Sequence, residues 1–268
     1  MNAPSRPFRL ALAQMTVVGG DRDRNLAHAL RQIELAAQGG AEVVLLPEAL
    51  DLGWTHPSSR QWAEPIPDGQ RCQAIRAAAR LHRIHVCAGL TERAGERVYN
   101  AAVLVSPAGE VILHHRKLNE LAIAHDVYDQ GDRLGVVVTP LGTFGLMICA
   151  DGFARGHVVA RTLGFMGADV ILSPSAWAVP PDYDPVKRPY GLDWQENYAT
   201  VAREFRLWVA GCSNVGRIDG GPWHGHDCIG CSCVVNPDGR TVAVAPYGAA
   251  AETILFTEVR PEPRPRAR

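Results

Sequence analysis

Gly145-Leu-Met-Ile-Cys-Ala-Asp-Gly152 is a short apolar run that breaks at small and polar residues, the pattern of a buried strand that stops at a thiol. Two other runs end the same way. Val43-Val-Leu-Leu-Pro-Glu48 delivers a carboxylate, and the strand Val111-Ile-Leu113 leads through His114-His-Arg-Lys117 to an amine. Thiol, carboxylate and ammonium are the parts of a nucleophilic hydrolase, in which sulfur attacks, an acid takes its proton and a cation stabilises the oxyanion.

Working outward from these three tips, strand and helix patterns alternate. Phe8 to Gln14 reads as a strand, Asp23 to Gln38 as an amphipathic helix and Glu42 to Leu46 as a second strand. Pro67 to Ile84 carries a helix over Cys72, Ile75, Ala79 and Leu81. His85 to Leu90 is then a strand, and Arg97 to Ser106 with Val111 to Leu113 makes a hairpin closed by Pro107-Ala-Gly109. Gly135 to Cys149, His157 to Met166, Asp169 to Leu172, Gly191 to Phe205, Leu207 to Cys212 and Cys231 to Val235 continue the series. Strands separated by helices predict a layered α/β fold, and hairpins such as Val234-Val-Asn-Pro-Asp-Gly-Arg240 predict mixed β-sheets. No internal repeat is visible in the sequence.

With 268 residues the chain suits one large domain, its core over about 8–260. Lys plus Arg is 27 against Asp plus Glu at 28, so no strong field recruits nucleic acid or an anionic membrane. A small molecule is the expected partner. The apolar stretches fall short of the ~20 residues of a membrane span, and no basic segment followed by an apolar run marks a signal peptide. Seven scattered cysteines fit reduced thiols in a cytoplasm better than a disulfide framework. The segment 261–268, rich in Pro and Arg, reads as a disordered tail or one draped over a partner subunit.

Each tip also has an ordinary reading: a buried small hydrophobe for Cys149, a helix-start carboxylate for Glu48, a solvated charge for Lys117. Together, and in this order, the three motifs resemble the nitrilase superfamily of carbon-nitrogen hydrolases, over roughly residues 8 to 260. Gly53-Trp54 stand where that family usually has Gly-Tyr, and Gly167-Ala-Asp169 and Pro174-Ser-Ala-Trp177 are similar to its segment after the nucleophile. The resemblance implies a four-layer αββα sandwich, a Glu48, Lys117, Cys149 triad with the Ala150 N–H as second oxyanion donor, no cofactor or metal, and a homodimer or higher homo-oligomer paired through helices near the nucleophile. Losing such an oxyanion donor commonly costs ~3 kcal/mol of barrier.

The family often carries a second glutamate after the lysine. Glu120 is the candidate here, with His125, Asp126 and Asp129 competing; Trp54, Ser175, Ala176 and Trp177 are candidates for positioning the substrate. Ala150-Asp151 replaces the Trp-Glu typical of nitrilases, which favours an amide or carbamoyl substrate over a nitrile. The usual Phe-Pro-Glu further on is absent; the chain reads Gly152-Phe-Ala-Arg-Gly-His157. Val201-Ala-Arg-Glu204 keeps the family's Glu and loses its leading Arg. The rivals are a nitrilase, an acyltransferase and a silent binding or assembly protein on the same scaffold.

Two segments remain open. Trp177 to Tyr190, rich in proline, reads as a pocket wall or lid, or as an oligomer contact, with Asp182, Asp184, Lys187 and Arg188 able to meet a polar substrate end. His224-Gly-His-Asp-Cys-Ile-Gly-Cys-Ser-Cys233 has zinc-like ligands at short spacing. Cys231 and Cys233 nevertheless read as one face of a strand, and structural thiols are the expectation.

Overall fold

Period-two alternation gives the strands of this chain two apolar faces, and each face needs its own cover. The computed structural model describes residues 6–262. Its first half runs β1 (Phe8–Gln14), α1 (Arg22–Gln38), β2 (Val43–Leu45), α2 (Ser59–Trp62), α3 (Gln70–His82), β3 (His85–Ala94), β4 (Arg97–Val105) and β5 (Val111–Arg116). The second runs β6 (Val136–Thr139), β7 (Gly142–Leu146), α4 (Val158–Phe165), β8 (Val170–Ser175), β9 (Ala178–Val179), α5 (Leu192–Phe205), β10 (Trp208–Ser213), β11 (Val215–Arg217), β12 (Asp227–Ile229), β13 (Cys233–Val235) and β14 (Thr241–Val244). Last, β15 (Thr253–Val259) returns to pair antiparallel with β1.

In the first sheet, ordered β15-β1-β2-β3-β4-β5, Leu10, Leu12, Val43, Leu45, Ala102 and Leu104 face the second sheet. The intervening Ala11, Ala13, Val44, Val103 and Val105 meet Ala29, Ile33 and Ala36 of α1 and Cys72, Ile75 and Ala79 of α3. The second sheet, ordered β14-β13-β10-β8-β7-β6, sends Phe144, Leu146 and Leu172 into the shared core, which runs on to Leu163 of α4 and Tyr198 and Ala202 of α5. Helices, sheet, sheet and helices are the four layers expected. A small third sheet, β11-β12-β9, lies beside the strand ends of the second.

Both large sheets are mixed, and in the same way: one antiparallel pair, two parallel pairs, two antiparallel pairs. The halves thus repeat one strand-helix-strand-helix-strand-hairpin path, which the sequence does not show. The parallel strands β2, β7, β8 and β10 end at one edge, the place where open α/β sheets gather ligands. Cross-sheet bonds join the two edges: Val215 N–H donates to the Met15 carbonyl (3.0 Å) and Glu48 N–H to the Ser175 carbonyl (3.2 Å).

Most element boundaries agree with the sequence patterns. Some do not: the strand from Val111 runs on to Arg116, and the stretch Gly135 to Cys149 divides at Pro140-Leu141 into β6 and β7 and stops at Leu146. Cys231 has φ 57° and stands outside β13, so the Cys231 and Cys233 alternation is corrected, because the backbone turns through Gly230-Cys231 before the strand begins. The tail is described only to Glu262, which pairs with Arg206 at 3.1 Å; positions 263–268 lie outside the described residues. Among the described residues, no helix is long and apolar enough to cross a membrane.

Gly89 of β3 fixes the approach of the Glu48 turn. A Cβ there would stand 2.5 Å from Glu48 Cα and 2.6 Å from the Pro47 carbonyl oxygen, both backbone atoms that cannot swing aside. Gly89→Ala should therefore cost about 2 kcal/mol in a urea melt through overpacking and displace Glu48; a variant of unchanged stability would contradict this close contact.

Candidate active site

Pro47-Glu48 leaves β2 and turns at once, with Ala49 at φ 43° and Leu50 N–H donating to the Gly89 carbonyl (3.0 Å). Asp51 anchors this turn from inside. Its buried carboxylate accepts the Thr91 N–H (3.0 Å) and pairs with Arg71 of α3 (3.0 Å), so the turn is pinned to β3 and to the outer helix layer. Lys117 follows β5, its N–H donating to the Asn100 carbonyl (2.9 Å) across the strand pair. Cys149 follows β7 and opens a single helical turn, Cys149–Phe153, with φ 44°. A non-glycine residue in the left-handed region is strained, and such strain collects at functional sites.

These three tips from two sheets converge. Lys117 Nζ donates to Glu48 Oε1 at 2.7 Å, and Asn100 Nδ2 donates to the same oxygen at 2.6 Å. Glu48, Lys117 and the Ala176 backbone lie close enough to Cys149 to act on its thiol. Lys117 Nζ also lies 3.5 Å from Glu120 Oε2 and 5.9 Å from the centre of the Trp54 ring. The Ala150 N–H belongs to the first turn of its helix, where N–H groups have no intrahelical acceptor.

The electrostatics follow from burial and crowding. Burial pushes the Cys149 thiol well up and Glu48 adds to this, while Lys117 and the Ala176 N–H oppose; the resting sulfur is a thiol. Burial alone would lower the Lys117 ammonium, but Glu120 and Glu48, with Cys149, hold it well above the ordinary lysine value. Glu120 is pushed up to about 7 by burial first, with Lys117 opposing and Glu48 and Asp151 adding. Glu48 Oε2 and both Glu120 oxygens are buried and find no hydrogen-bond donor within the protein.

The other candidates sort by position. His125, Asp126 and Asp129 are exposed, and Asp129 caps the Val98 N–H (3.1 Å), so Glu120 alone among the four sits beside Lys117. Trp54 and Ala176 share a small cluster with Ala49 and Cys228. The Ser175 hydroxyl donates to the Ser173 carbonyl (3.1 Å), and its own carbonyl is what meets Glu48. Trp177 is stacked on Trp194 in the core at 4.2 Å, a packing role rather than an open one. In the loop before α5, Tyr183 and Tyr190 meet each other edge-on at 5.9 Å and pack, partly buried, against the core, while Asp182, Asp184, Lys187 and Arg188 are exposed. Cys228, Cys231 and Cys233 are all buried, and burial pushes all three thiols up. Among the described residues, no group of three or more His, Cys, Asp or Glu could hold a metal ion.

Neither period nor motif in the sequence points to a role for Asn100, His115 or Asn119, nor to one beyond family likeness for Asp151. Asn100 and His115 did carry a signal, as polar residues inside apolar strands, and both are buried against site carboxylates.

Comparison with known proteins agrees with this architecture. A carbon-nitrogen hydrolase family model matches residues 9–264. A nitrilase of Pyrococcus abyssi is 34% identical over 64% of this chain and 66% of its own. The omega-amidase of Bos taurus is 28% identical over 94% of this chain and 88% of its own. Among solved structures, a Saccharomyces cerevisiae member of branch 10 of the nitrilase superfamily superposes with TM-score 0.80 at 26% identity, over 96% of this chain and 92% of that one. An amidase of Nesterenkonia sp. AN1, solved with the acetamide moiety of fluoroacetamide on its active-site cysteine, shares the fold (TM-score 0.79, 21% identity, 94% and 90% covered). With its strand order, layers and family match in agreement, the chain belongs to the carbon-nitrogen hydrolase family.

Proposed function

We propose that the chain is an amidohydrolase that cleaves the C–N bond of a small linear amide or N-carbamoyl compound through a thioester on Cys149. The observation that carries this reading is the buried cluster of Glu48, Lys117 and Cys149, with Glu48 Oε2 and the Glu120 carboxyl beside it left without a hydrogen-bond partner within the protein. An amide or ureido NH2 brings N–H groups to such acceptors. A nitrile nitrogen carries none, and would leave Glu48 Oε2 buried and unpaired at about 1–3 kcal/mol. The relatives named omega-amidases and the Nesterenkonia amidase support the same choice.

Each step uses a group in place. Glu48 takes the Cys149 proton as sulfur adds to the carbonyl carbon, and the oxyanion settles between the Lys117 ammonium and the Ala150 N–H. Glu48 returns the proton to the departing nitrogen, so ammonia or amine leaves and a thioester remains. Water then gives its proton to Glu48 and its oxygen to the acyl carbon, releasing the acid and restoring the thiol. Because the resting sulfur is a thiol, its reactivity depends on Glu48 rather than on a standing thiolate.

Self-association is part of the proposal. Phe165 is 79% exposed, and Val158, Met166, Phe153 and Leu192 add exposed apolar surface along α4, the turn before it and the start of α5. A second copy of this chain seated there would bury it.

Mass spectrometry of the enzyme mixed with a panel of carbamoyl amino acids, dicarboxylic monoamides and aliphatic amides should trap an acyl adduct on Cys149. Glu48→Gln should slow both turnover and iodoacetamide labelling of Cys149 by about 10²-fold or more; full turnover without any adduct would end the thioester mechanism. Glu120, held up to about 7 when folded against an ordinary 4.5, keeps a proton between those values that the unfolded chain has lost. Stability therefore falls as pH rises through that window. Glu120→Gln should gain stability relative to the parent between about pH 5 and pH 8, on the order of 3 kcal/mol; a difference flat with pH would refute it. By light scattering, the parent should exceed monomer mass and Phe165→Glu should approach it; a monomeric parent removes the self-association.

A further inference from the structure

The two groups assigned to the oxyanion come from different sheets. Lys117 follows β5 of the first and Ala150 follows β7 of the second, so no strand pairing sets the distance between them. A side chain does. Asp151, fully buried, accepts the N–H groups of Leu118 (3.0 Å) and Asn119 (2.8 Å) on Oδ1. Its Oδ2 accepts the N–H of Ile148 (2.9 Å) and lies 2.8 Å from Nε2 of buried His115. An ionised carboxylate can only accept, so His115 presents its N–H there. Oδ1 holds the loop after Lys117, and Oδ2 joins Ile148 of the nucleophile strand to His115 of β5, the strand that leads to Lys117. Asn119 adds a parallel tie, its Nδ2 donating to the Ala150 carbonyl at 2.6 Å.

We propose that Asp151 is the positioning residue of the oxyanion site: by holding residues 118–119 on one oxygen and residue 148 on the other, it sets the separation of the Lys117 ammonium and the Ala150 N–H. The inference rests on the amidohydrolase reading. Asp151 touches neither substrate nor sulfur in this role; it acts through the two backbones it joins. Replacing one oxygen with an amide NH2 points a donor at donors, and the two loops part. Misplacement on the order of 1 Å is enough to cost about 10²-fold in rate.

The test is Asp151→Asn in the full chain, read in three ways. Amide turnover should lose about 10²-fold in kcat with KM within about threefold, the mark of an interaction made in the transition state. Iodoacetamide labelling of Cys149, a displacement that forms no oxyanion, should stay within about threefold of the parent. A crystal structure of the variant should show residues 117–119 moved relative to Ala150. An unchanged kcat overturns the proposal, as does a loss of turnover and labelling in equal proportion, which would mean only that less protein is folded. If the variant does not fold, Asn119→Ala cuts the second tie without disturbing a buried charge. Its kcat should fall about tenfold with labelling preserved, and parent-like kcat overturns the proposal. A parent that hydrolyses no amide in the panel defeats the functional reading instead. The crystal structure then decides this one, with displaced residues 117–119 supporting it and an unmoved loop overturning it.

Discussion

Lys117 and Glu48 meet at 2.7 Å with side chains at most 1% exposed, and much of the molecule is arranged so that this buried pair can exist. Each ion loses several kcal/mol of solvation, which mutual attraction offsets only where the remaining valences are met. Asn100 supplies a second donor to the shared Glu48 oxygen, Glu120 a second carboxylate to the ammonium, and the Trp54 ring lies at 5.9 Å. The result is a lysine that stays charged in a closed site. In the proposed mechanism a neutral amine there would give an oxyanion little help, which is the role we assign to the excess of carboxylates around it.

The architecture explains why these groups come from far apart in the chain. Both halves follow the same path, yet the three candidate catalytic tips occupy different places in it: Glu48 ends the second strand of its repeat, Cys149 follows the first strand of the other, and Lys117 follows the last strand of its own. Equivalent backbone positions carry unrelated side chains. The strand counterpart of β2 is β8, whose end contributes a carbonyl to the Glu48 N–H and the backbone of Ala176 to the thiol. A backbone repeat with one site between its halves needs each half to present different chemistry, which is why no sequence repeat survives to be read.

What was legible in the sequence was what period and abrupt polarity reveal. Leu10 and Leu12 against Ala11 and Ala13 declare a strand with two covered faces, and Glu48, Lys117 and Cys149 announce themselves by ending apolar runs. What was illegible depends on backbone direction. Nothing in Cys231 itself says that the chain takes φ 57° there and delays the strand to Cys233. Ser175 and Trp177 sit in a motif shared with the family, but the hydroxyl turns to Ser173 and the indole to Trp194, contacts made only once β8 and α5 are packed. Glu120 could not be separated from His125, Asp126 and Asp129 because the short turns after Lys117 have no period to follow.

Two aspartates show how the site keeps its shape. Asp51 stands three residues after Glu48 and Asp151 two after Cys149, and each is buried with backbone N–H groups of a neighbouring segment on its oxygens. They are held differently. Burial raises Asp51 despite Arg71 and Thr91, so its turn depends on a formal counter-charge from α3. Burial works against Asp151 as well, but the hydrogen bond from His115, the Ile148 N–H and the Lys117 charge outweigh it and hold the carboxyl below the ordinary range. Its charge is thus stabilised by the same loops it positions, and organising the loops and ionising the acid favour one another. On the proposed mechanism that reciprocity is a physical route to preorganisation: the donors we assign to the oxyanion are fixed before a substrate arrives.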